Sequence, residues 1–499
     1  MLFKTDRRKF IKKSALTLTT CAGGIPLLNR QVCHAQTIND VKPSDIQNFT
    51  AQIKGIVSRP GSRDYFSAGK LWTGSMPNQP GLVIQCTDTQ DIVASVNFAR
   101  EQGLELAVRG GGHSDNATCE GGLLVNTSLM RKIQVDPENR RAKIESGVLT
   151  GKLDQSTARF GLAAVLGECS SVGISGLTLG GGLGRLMGQH GALCDTVVGA
   201  EVVTADGTVR QVNSDNHSDL FWAIRGGSGN FGIVTSFDYR IFPVTQTLAG
   251  SLRYPLSEAR SVLKFFGEFM KNAPDTLDAL IEIGSGILQY TSNTEDPAVV
   301  INVSCCGDME EAKKTLRPLR SFGAPESDSI KPISYLEAQQ SSNLKDLLTH
   351  IQGDFTGYRR SGFVEQISDN VIDIILKHCE NPPFPAWSIA FDHYMHGKVC
   401  RTPDDECAFN LRVPGFSFRA AAFQAGSVPR QSVTQWVRRI TDSLEPYSGD
   451  RIYLNYVTDQ GEAGVRAAFG NHYQKLVTLK RKYDPTNLFH LNPNIPPQS

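Results

Sequence analysis

The chain has 499 residues, more than a single hydrophobic core usually organises, so two domains are expected. Its net charge is +1, but residues 1–35 hold seven basic residues and one acidic residue, which leaves the rest of the chain at −5. A mildly acidic body argues against nucleic-acid binding.

The basic N-terminal segment is typical of an export signal. The pair Arg7–Arg8 precedes a modestly apolar stretch, Ala15–Leu28, and Val32–Ala35 resembles a cleavage site before Gln36. The alternative is a generic basic amphipathic start, but the order of charge, apolar stretch and cleavage site favours export. The stretch is too short and too polar to span a bilayer. Paired arginines resemble a twin-arginine signal. We therefore expect a bacterial protein exported to the periplasm or secreted, with no membrane anchor after signal removal.

Strand and helix signals alternate in the first half of the chain. Gly81–Cys86 predicts a strand, Thr87–Thr89 caps a helix that Gly103 ends, and Leu104–Val108 predicts a second strand. Further predictions here are a hairpin of 133–135 with 142–146, a hairpin of 198–204 with 209–212 around an Asp-Gly turn, a helix over 219–224 and a strand over 231–242.

From about residue 246 the pattern changes, which predicts a second domain. The expected elements are helices over 262–270, 310–319 and 431–444 and a strand over 388–394. After Arg451, Ile452–Val457 predicts a strand, and residues 462–483 predict one basic helix.

Two glycine-rich stretches each carry a nucleophile. Arg109–Ser114 contains His113, and Gly167–Gly184 contains Cys169. Glycine lets backbone N–H groups approach a phosphate or a flat ring, so the pattern indicates a cofactor that is cradled and covalently tethered. The alternatives are a hydrogen-bonded loop histidine and a small buried cysteine. A Ser-His or Cys-His hydrolase is the functional rival, although no GxSxG nucleophile elbow is present.

Other motifs are weaker. Gly227–Gly232 fits GxGxxG, but a predicted helix precedes it and a strand follows, so the dinucleotide-binding interpretation fails. Cysteine spacing predicts no zinc or other metal site. Nine cysteines remain after signal removal, and eight if Cys169 holds a cofactor, which permits disulfides. Cys400 and Cys407 are close enough in sequence to close a loop, but buried free thiols are equally compatible.

Six segments carry a family resemblance. The chain resembles berberine-bridge-enzyme-like FAD-linked oxidoreductases, within the vanillyl-alcohol-oxidase superfamily with its PCMH-type FAD-binding domain. The matching segments are Val108–Ser114, Gly167–Gly176, Leu179–Gly184, Asp219–Gly227, Tyr453–Tyr456 and Tyr483–Phe489.

The resemblance implies an α+β, two-domain PCMH-type FAD-binding fold with an inserted α+β substrate domain, an antiparallel sheet flanked by helices. The FAD-binding domain would be 36–245, the substrate domain 246–449, and 450–499 would be the C-terminal berberine-bridge-like segment that completes the FAD domain.

The resemblance also implies a bicovalent FAD. His113 would bond the 8α-methyl carbon of the flavin and Cys169 its C6. Ser170 departs from the proline that the family often has. Glycine amides at 110–112 and 180–182 would meet the pyrophosphate. The remaining expected cofactor-binding residues are Arg109, Gly110, Gly111, Gly112, Ser114, Val172, Gly173, Gly176, Gly181, Gly182, Ile233, Tyr453 and Asn494.

Tyr456 matches the family's catalytic tyrosine, which accepts the substrate proton while hydride leaves for the flavin. Val172 matches a position where a small side chain accompanies oxygen use. We therefore expect an exported oxidase that acts on an alcohol carbon of a small molecule, carbohydrate-like substrates being favoured, with O2 as partner and H2O2 as product. The alternatives are a dehydrogenase or oxidative cyclase on an aromatic, alkaloid or polyketide substrate, and a non-enzymatic flavin-binding protein. Part of the pocket wall is expected within His393–Arg412.

Overall fold

The structure is a computed structural model that describes residues 36–498 except 73, 245, 286–295, 342–356, 381, 383–386, 424–428, 450 and 458–460. The described residues belong to one compact unit. The predicted export signal, residues 1–35, lies outside them. Of the helices in the described ranges, none combines the length and the apolar character needed to cross a bilayer.

A parallel sheet positions the first glycine-rich loop. Its strands lie in the order Ile56–Ser58, Leu82–Gln85, Leu123–Asn126 and Leu106–Arg109, and the last three are parallel. The helix Thr89–Gln102 begins at Asp88, whose side chain accepts two amides of the first turn, and ends at Gly103 with a φ of 61°. The predicted strand–helix–strand unit is confirmed, and it places Gly110–Ser114 after the carboxyl end of a parallel strand.

An antiparallel sheet follows. Its strands lie in the order Ile133–Asp136, Arg141–Glu145, Ile233–Arg240, Val197–Val203 and Val209–Val212. Both predicted hairpins are confirmed. Gly207 has a φ of 77°, as the Asp-Gly turn requires. A helix, Ser218–Ile224, precedes the segment 227–232 and a strand follows it, so the rejection of a dinucleotide-binding fingerprint is also confirmed.

The largest sheet is built from residues 246–423 and is antiparallel throughout. Its strands lie in the order Ser327–Asp328, Gln246–Pro255, Ala298–Cys306, Leu277–Gly284, Trp387–Met395, Gly415–Phe423 and Gly357–Val364, and Lys331–Ser334 also pairs with Gln246–Pro255.

The two faces of this sheet differ. One face forms an apolar core with residues of the helices Ala259–Met270, Met309–Arg320, Asp369–Cys379 and Arg430–Leu444. Along Leu277–Gly284, Ala279, Ile281 and Ile283 enter that core. Side chains alternate along a strand, so Asp278 and Glu282 belong to the opposite face. The predicted α+β class, with an antiparallel sheet flanked by helices, is confirmed.

Two predictions for the C-terminal region are wrong. Residues 452–457 contain a short 3-10 turn, Leu454–Tyr456, because the Tyr456 amide donates to the Tyr453 carbonyl instead of to a neighbouring strand. The single helix predicted over 462–483 is two helices, Gly461–Phe469 and Tyr473–Tyr483. Gly470 separates them with a φ of 47°, and a Cβ there would lie 2.3 Å from Asn410 Nδ2.

The remaining elements are short. The helices are Pro43–Gln52, Tyr65–Gly69, Thr150–Ala158, Ile174–Leu179, Met187–His190, Tyr335–Gln340 and Lys398–Arg401, and a two-stranded ribbon joins Leu162–Ala163 to Phe242–Pro243.

Candidate active site

The two glycine-rich stretches meet at a crossing of backbones. A Cβ on Gly111 would lie 2.3 Å from the Gly173 nitrogen, and a Cβ on Gly173 would lie 2.3 Å from the Gly111 nitrogen. No side chain fits at either position without moving backbone. Glycine is therefore required here by close approach, and the crossing brings the segment that contains His113 against the segment that contains Cys169.

His113 and Cys169 share one hydrogen-bond partner. Ser171 Oγ lies 3.1 Å from His113 Nε2 and 3.2 Å from Cys169 Sγ. The imidazole also stacks on Trp72, with ring centroids 4.9 Å apart. Burial, and next the charge of Arg359, lower the pKa of His113 to about 4. The ring is therefore neutral at physiological pH and keeps one nitrogen lone pair.

The glycine amides of the first loop have no partner among the described residues. Within the described ranges, the N–H groups of Gly110, Gly111 and Gly112 donate no hydrogen bond to other residues. Arg109 Nε is buried and also has no partner among the described residues. Consecutive unpaired N–H groups beside a guanidinium form a site suited to an anion.

The second run, Gly180–Gly182, is packed differently. The Gly180 and Gly181 amides donate to the carbonyls of Gly176 and Thr178, and the Gly182 amide donates to Tyr453 Oη. The expectation that these amides meet a pyrophosphate is therefore not supported, because each already donates inside the protein.

Protein side chains also fill the space in front of this run. A Cβ on Gly180 would lie 2.0 Å from Asn455 Oδ1, and a Cβ on Gly181 would lie 2.4 Å from Phe409 Cδ2. Any contact of Gly181 or Gly182 with a cofactor stays a prediction.

Tyr453 and Tyr456 lie edge to face beside the second run. Their ring centroids are 4.9 Å apart with planes at 75°. Tyr453 Oη accepts the amides of Gly182 and Leu183, both at 3.1 Å, and the side-chain amide of Asn455 at 2.9 Å. Burial raises the pKa of Tyr453 to about 12. Tyr453 therefore acts as a structural acceptor that holds the glycine run.

Tyr456 lies in a charged environment. Burial, and then the carboxylate of Asp392, raise the pKa of Tyr456 well above its usual range, while the guanidinium groups of Arg419 and Arg359 act in the opposite direction. Without further stabilisation of the phenolate, the side chain is a neutral phenol at physiological pH.

The polar face of the large sheet lies next to the first loop and Tyr456. Arg419 forms a two-point ion pair with Asp392, at 3.0 and 3.1 Å. On the next strand, Arg359 Nη2 donates to the His113 carbonyl at 3.4 Å, and Ser361 Oγ donates to the Tyr456 carbonyl at 3.0 Å. One strand, Gly357–Val364, thus contacts both the first loop and the predicted base.

A buried ion network ties the sheet to the second nucleophile. Arg185 pairs with Glu168, the residue before Cys169, at 3.0 Å and with Asp278 of the sheet at 3.7 Å. On the same face, burial raises the pKa of Glu282 to about 7.

Comparison with known proteins agrees with this arrangement. A family profile described as FAD binding domain matches residues 80–213, and one described as Berberine and berberine like matches residues 452–496. An FAD-linked oxidoreductase of Dictyostelium discoideum is 33% identical over 459 residues, which cover 91% of this chain and 97% of that relative. The chain belongs to the berberine-bridge-enzyme-like family of FAD-linked oxidoreductases.

Solved structures of similar proteins confirm the PCMH-type fold. The crystal structure of 6-hydroxy-D-nicotine oxidase from Arthrobacter nicotinovorans has a TM-score of 0.79 and 28% identity, covering 89% of this chain and 98% of that chain. Xylooligosaccharide oxidase from Myceliophthora thermophila C1 shares the fold, with a TM-score of 0.79 and 20% identity over 91% of this chain and 99% of that chain.

The residues at the crossing fit the FAD of this berberine-bridge-enzyme-like chain. The unpaired amides of Gly110–Gly112 and the buried Nε of Arg109 are donors suited to a phosphate. A Cβ on Gly176 would meet nothing within 4 Å, which leaves room for a flat ring or a phosphate. Ser114 is exposed, and Val172 is half-buried with its carbonyl accepting the Thr150 amide at 2.9 Å.

Asn494 is the expected cofactor-binding residue of the C-terminal segment. Asn494 Oδ1 is buried and has no partner in the described part of the chain. Its neighbours are fixed by Asn230, whose side chain bonds the Pro493 carbonyl and the Ile495 amide. Buried Lys480 supports this by donating to the Asn230 carbonyl at 2.9 Å. Ile233, by contrast, is buried in an apolar cluster, so its side chain does not offer a polar contact.

The expected pocket wall, His393–Arg412, divides into separate environments. Asp392, just before it, belongs to the site through Arg419 and Tyr456. Tyr394 packs into the apolar core, and both ring nitrogens of His396 lie at hydrogen-bond distance from backbone carbonyls. The His393 side chain lies outside what the structure describes.

Sequence reasoning did not identify several side chains at the site. Ser171 follows Cys169 by two residues, and this spacing is the only local signal for it. Arg359, Ser361 and Arg419 come from strands that are neighbours only in space. For Arg419 the signal is a polar side chain at alternate positions of an otherwise apolar strand, Gly415–Phe423, whereas Gly357–Val364 carries consecutive polar residues and gives no such signal. The local sequence around Trp72 also gives no indication of its contact with His113.

Proposed function

We propose that this chain is an exported FAD-dependent oxidase that removes hydride from an alcohol carbon of a polar, carbohydrate-like small molecule, with O2 as electron acceptor and H2O2 as product. The observation that carries the proposal lies on one strand. Arg359 contacts the His113 carbonyl and Ser361 contacts the Tyr456 carbonyl. Residues two apart on one face of a strand are about 7 Å apart, so the proposed anchor and the proposed base border the same space.

The bound FAD would supply the acceptor for the hydride. His113 and Cys169 would hold it covalently, and their shared contact with Ser171 supports that pairing. A neutral imidazole is the form that can attack a carbon, and the lowered pKa of His113 supplies it across the working pH range.

Tyr456 would take the proton of the substrate hydroxyl. Its raised pKa disfavours the phenolate, so the proton transfer depends on the nearby guanidinium groups of Arg419 and Arg359. Asp392 holds Arg419 through two hydrogen bonds and fixes that charge beside the tyrosine. We therefore expect activity to increase at alkaline pH.

The substrate class follows from the polar face of the sheet. Arg359, Ser361, Asp392 and Arg419 present donors and acceptors that hydroxyl groups can satisfy. An apolar substrate would desolvate these charges without replacing their hydrogen bonds. Oxygen use is supported by Val172, at the position noted for the family, and by a relative of 28% identity whose name is that of an oxidase.

The decisive experiment is a screen of alcohols and sugars without oxygen, monitored by loss of the flavin absorbance. We expect a polyhydroxylated substrate to bleach the flavin, and admission of O2 to restore the colour with one H2O2 per turnover. If a dye is reduced but no peroxide forms, the chain is a dehydrogenase. If no substrate of any class bleaches a flavin that dithionite reduces, the enzymatic proposal fails.

Export has its own test. With Arg7→Lys and Arg8→Lys combined, we expect the unprocessed precursor to stay in the cytoplasm, since the translocase reads the arginine pair. The matched control changes Lys12→Arg and Lys13→Arg and keeps the charge. The exported wild type should begin at Gln36. Normal export of the Arg7 and Arg8 double variant would contradict the twin-arginine route.

A further inference from the structure

Two cysteines meet in a buried cluster behind the second glycine run. Cys194 lies in the turn Leu193–Thr196, and Cys407 follows the turn Asp404–Glu406, so 213 positions separate them in sequence. Their sulfur atoms are 4.0 Å apart, and both residues are fully buried. In sequence, Cys400 is close enough to Cys407 to close a loop with it, whereas in the fold Cys194 lies beside Cys407.

Arg412 and Asp195 complete the cluster. Arg412 forms two hydrogen bonds with the Asp195 carboxylate, at 2.7 and 3.1 Å, and a third with Cys407 Sγ at 3.0 Å. The ligand atoms of Cys194, Asp195 and Cys407 lie within 4.8 Å of one another, as a metal site would require. The guanidinium already bonds two of these three groups, and its positive charge opposes a cation, so thiol chemistry is the better interpretation.

The two thiols differ in acidity. Burial and the charge of Asp195 oppose a Cys407 thiolate, but the hydrogen bond from Cys194 and the charges of Arg412 and Arg225 outweigh them, so the pKa of Cys407 lies below its usual value. Burial, followed by the adjacent Cys407, holds the pKa of Cys194 well above its usual value. A thiolate is the nucleophile in cysteine oxidation, and it has a thiol beside it that can complete a disulfide.

We propose that Cys194 and Cys407 are a redox pair that hydrogen peroxide converts to a disulfide. The Cys407 thiolate attacks one peroxide oxygen, the O–O bond breaks, and a sulfenic acid and hydroxide form. Cys194 sulfur then attacks Cys407 sulfur, the S–S bond forms, the S–O bond breaks, and the released hydroxide takes the Cys194 proton. The first hydroxide takes up the proton that Cys407 released on ionising, so two thiols and one peroxide give one disulfide and two waters. The sulfurs must approach from 4.0 Å to about 2.05 Å, which requires a shift of the side chains.

The cross-link would restrain the support of the active site. The Cys194 amide donates to the Gly181 carbonyl at 2.8 Å, and Phe409, two residues after Cys407, packs over Gly181 and against Tyr453. The disulfide would join these two segments covalently and close a long loop, which lowers the entropy of the unfolded chain. We therefore expect oxidation to raise the unfolding temperature.

The test uses the FAD-loaded protein in its native state. It is treated with added peroxide, denatured with an alkylating reagent, and mapped by mass spectrometry without reductant. The expected result is a linked peptide pair that contains Cys194 and Cys407, is cleaved by dithiothreitol, and accompanies an unfolding temperature several degrees higher. The peroxide is added, so this result does not depend on whether the enzyme itself makes it.

Two single variants assign the roles. With Cys194→Ser, a sulfenic acid should be trapped by dimedone at Cys407, because no thiol remains to resolve it. With Cys407→Ser, Cys194 should stay unmodified. Cys305→Ser, a buried cysteine next to another cysteine, is the matched control and should leave the linked pair intact. If a variant does not fold, the peptide map of the wild-type protein alone decides whether Cys194 and Cys407 become linked. Full alkylation of both thiols after peroxide, or a sulfinic acid at Cys407 with Cys194 free, would overturn the proposal.

Discussion

The loop Arg109–Ser114 and the run Gly180–Gly184 are both rich in glycine, and they use it for opposite purposes. In the first, the amides of Gly110–Gly112 have no partner in the described part of the protein, and Gly111 crosses Gly173 so closely that no side chain fits. In the second, the amides of Gly180–Gly182 donate to protein acceptors, and Asn455 and Phe409 fill the space in front of the run.

The difference shows that glycine content does not identify a ligand site. A glycine can leave room for a cofactor or for another part of the same protein, and the two cases differ in whether the backbone amides are already paired. The first loop is the candidate cradle. The second run supports Tyr453 and, through it, the position of Tyr456.

The two tyrosines offer the sharpest contrast. Tyr456→Phe should lower kcat by about 10²–10⁴-fold, because it removes the proposed base. The amount of bound flavin and the unfolding temperature should stay near those of the wild type. Steady-state kinetics and a flavin spectrum of the same sample check this. Undiminished flavin reduction in Tyr456→Phe would remove the residue from the mechanism.

Tyr453→Phe is the matched variant, because Tyr453 contacts the second glycine run. It leaves the amides of Gly182 and Leu183 without their acceptor, which should cost about 1–3 kcal/mol of unfolding free energy. Chemical denaturation measures this loss. If Tyr453→Phe proves as stable as the wild type, the run does not depend on the Tyr453 hydroxyl.

Alanine substitutions test the two glycine stretches in the same way. In Gly111→Ala the new Cβ would lie 2.3 Å from the backbone nitrogen of Gly173, so the crossing must open and covalent flavin should decrease. In Gly182→Ala the Cβ would lie 2.5 Å from Leu193 Cβ at a φ of +82°, so stability should fall while the folded fraction keeps its flavin.

Gly199→Ala is the control for both, because its Cβ would make only ordinary contacts, the nearest at 3.5 Å from the Val212 carbonyl oxygen, and Gly199 is not among the expected cofactor-binding residues, so flavin content and folding should both be unaffected. The flavin-to-protein ratio and the unfolding temperature separate the three variants. Equal flavin loss in Gly111→Ala and Gly182→Ala would remove the distinction between the two regions.

Glu282, on the charged face of the large sheet, should cause a smaller change in the free energy of unfolding, and this change depends on pH. Burial raises the pKa of Glu282 from 4.5 to about 7, so the folded protein keeps a proton that the unfolded chain releases. Stability should therefore fall as pH rises from about 4.5 to about 7 and then level off. Glu282→Gln should reduce this slope without abolishing it, because buried Asp154 has its pKa raised to about 7 as well.

The control is Glu268→Gln, whose side chain is 67% exposed and which should leave the slope unchanged. Denaturation midpoints measured between pH 4 and pH 8 provide the comparison. Identical slopes for Glu282→Gln and the wild type would show that Glu282 does not cause the pH dependence.

Local signals in the sequence are enough to predict much of the fold. The cap at Asp88, the left-handed Gly103 and the Asp-Gly turn at Gly207 act over a few residues, and the helix and the hairpin that they predict are present. The strand predicted at Ile452–Val457 is absent because the Tyr456 amide donates to the Tyr453 carbonyl instead of to a neighbouring strand, while the Tyr453 and Asn455 side chains contact the second glycine run.

The site was predictable only where its residues are grouped in sequence. His113 and Cys169 lie inside glycine-rich motifs, whereas Arg359 and Arg419 lie on separate strands of a sheet whose register depends on distant segments. Ser171 is local, but its importance arises only when the loop crossing brings His113 to it. Long-range pairing of this kind leaves no signal in a single sequence.

The central claim is that His113 and Cys169 both hold the flavin, and denaturation tests it most directly. Wild-type protein, His113→Ala, Cys169→Ala and the double variant are precipitated with acid and washed, and the pellets are examined by absorbance and intact mass. We expect flavin to stay with the wild type and with each single variant, and to be released only from the double variant. A colourless wild-type pellet, with all flavin in the supernatant, would contradict the claim.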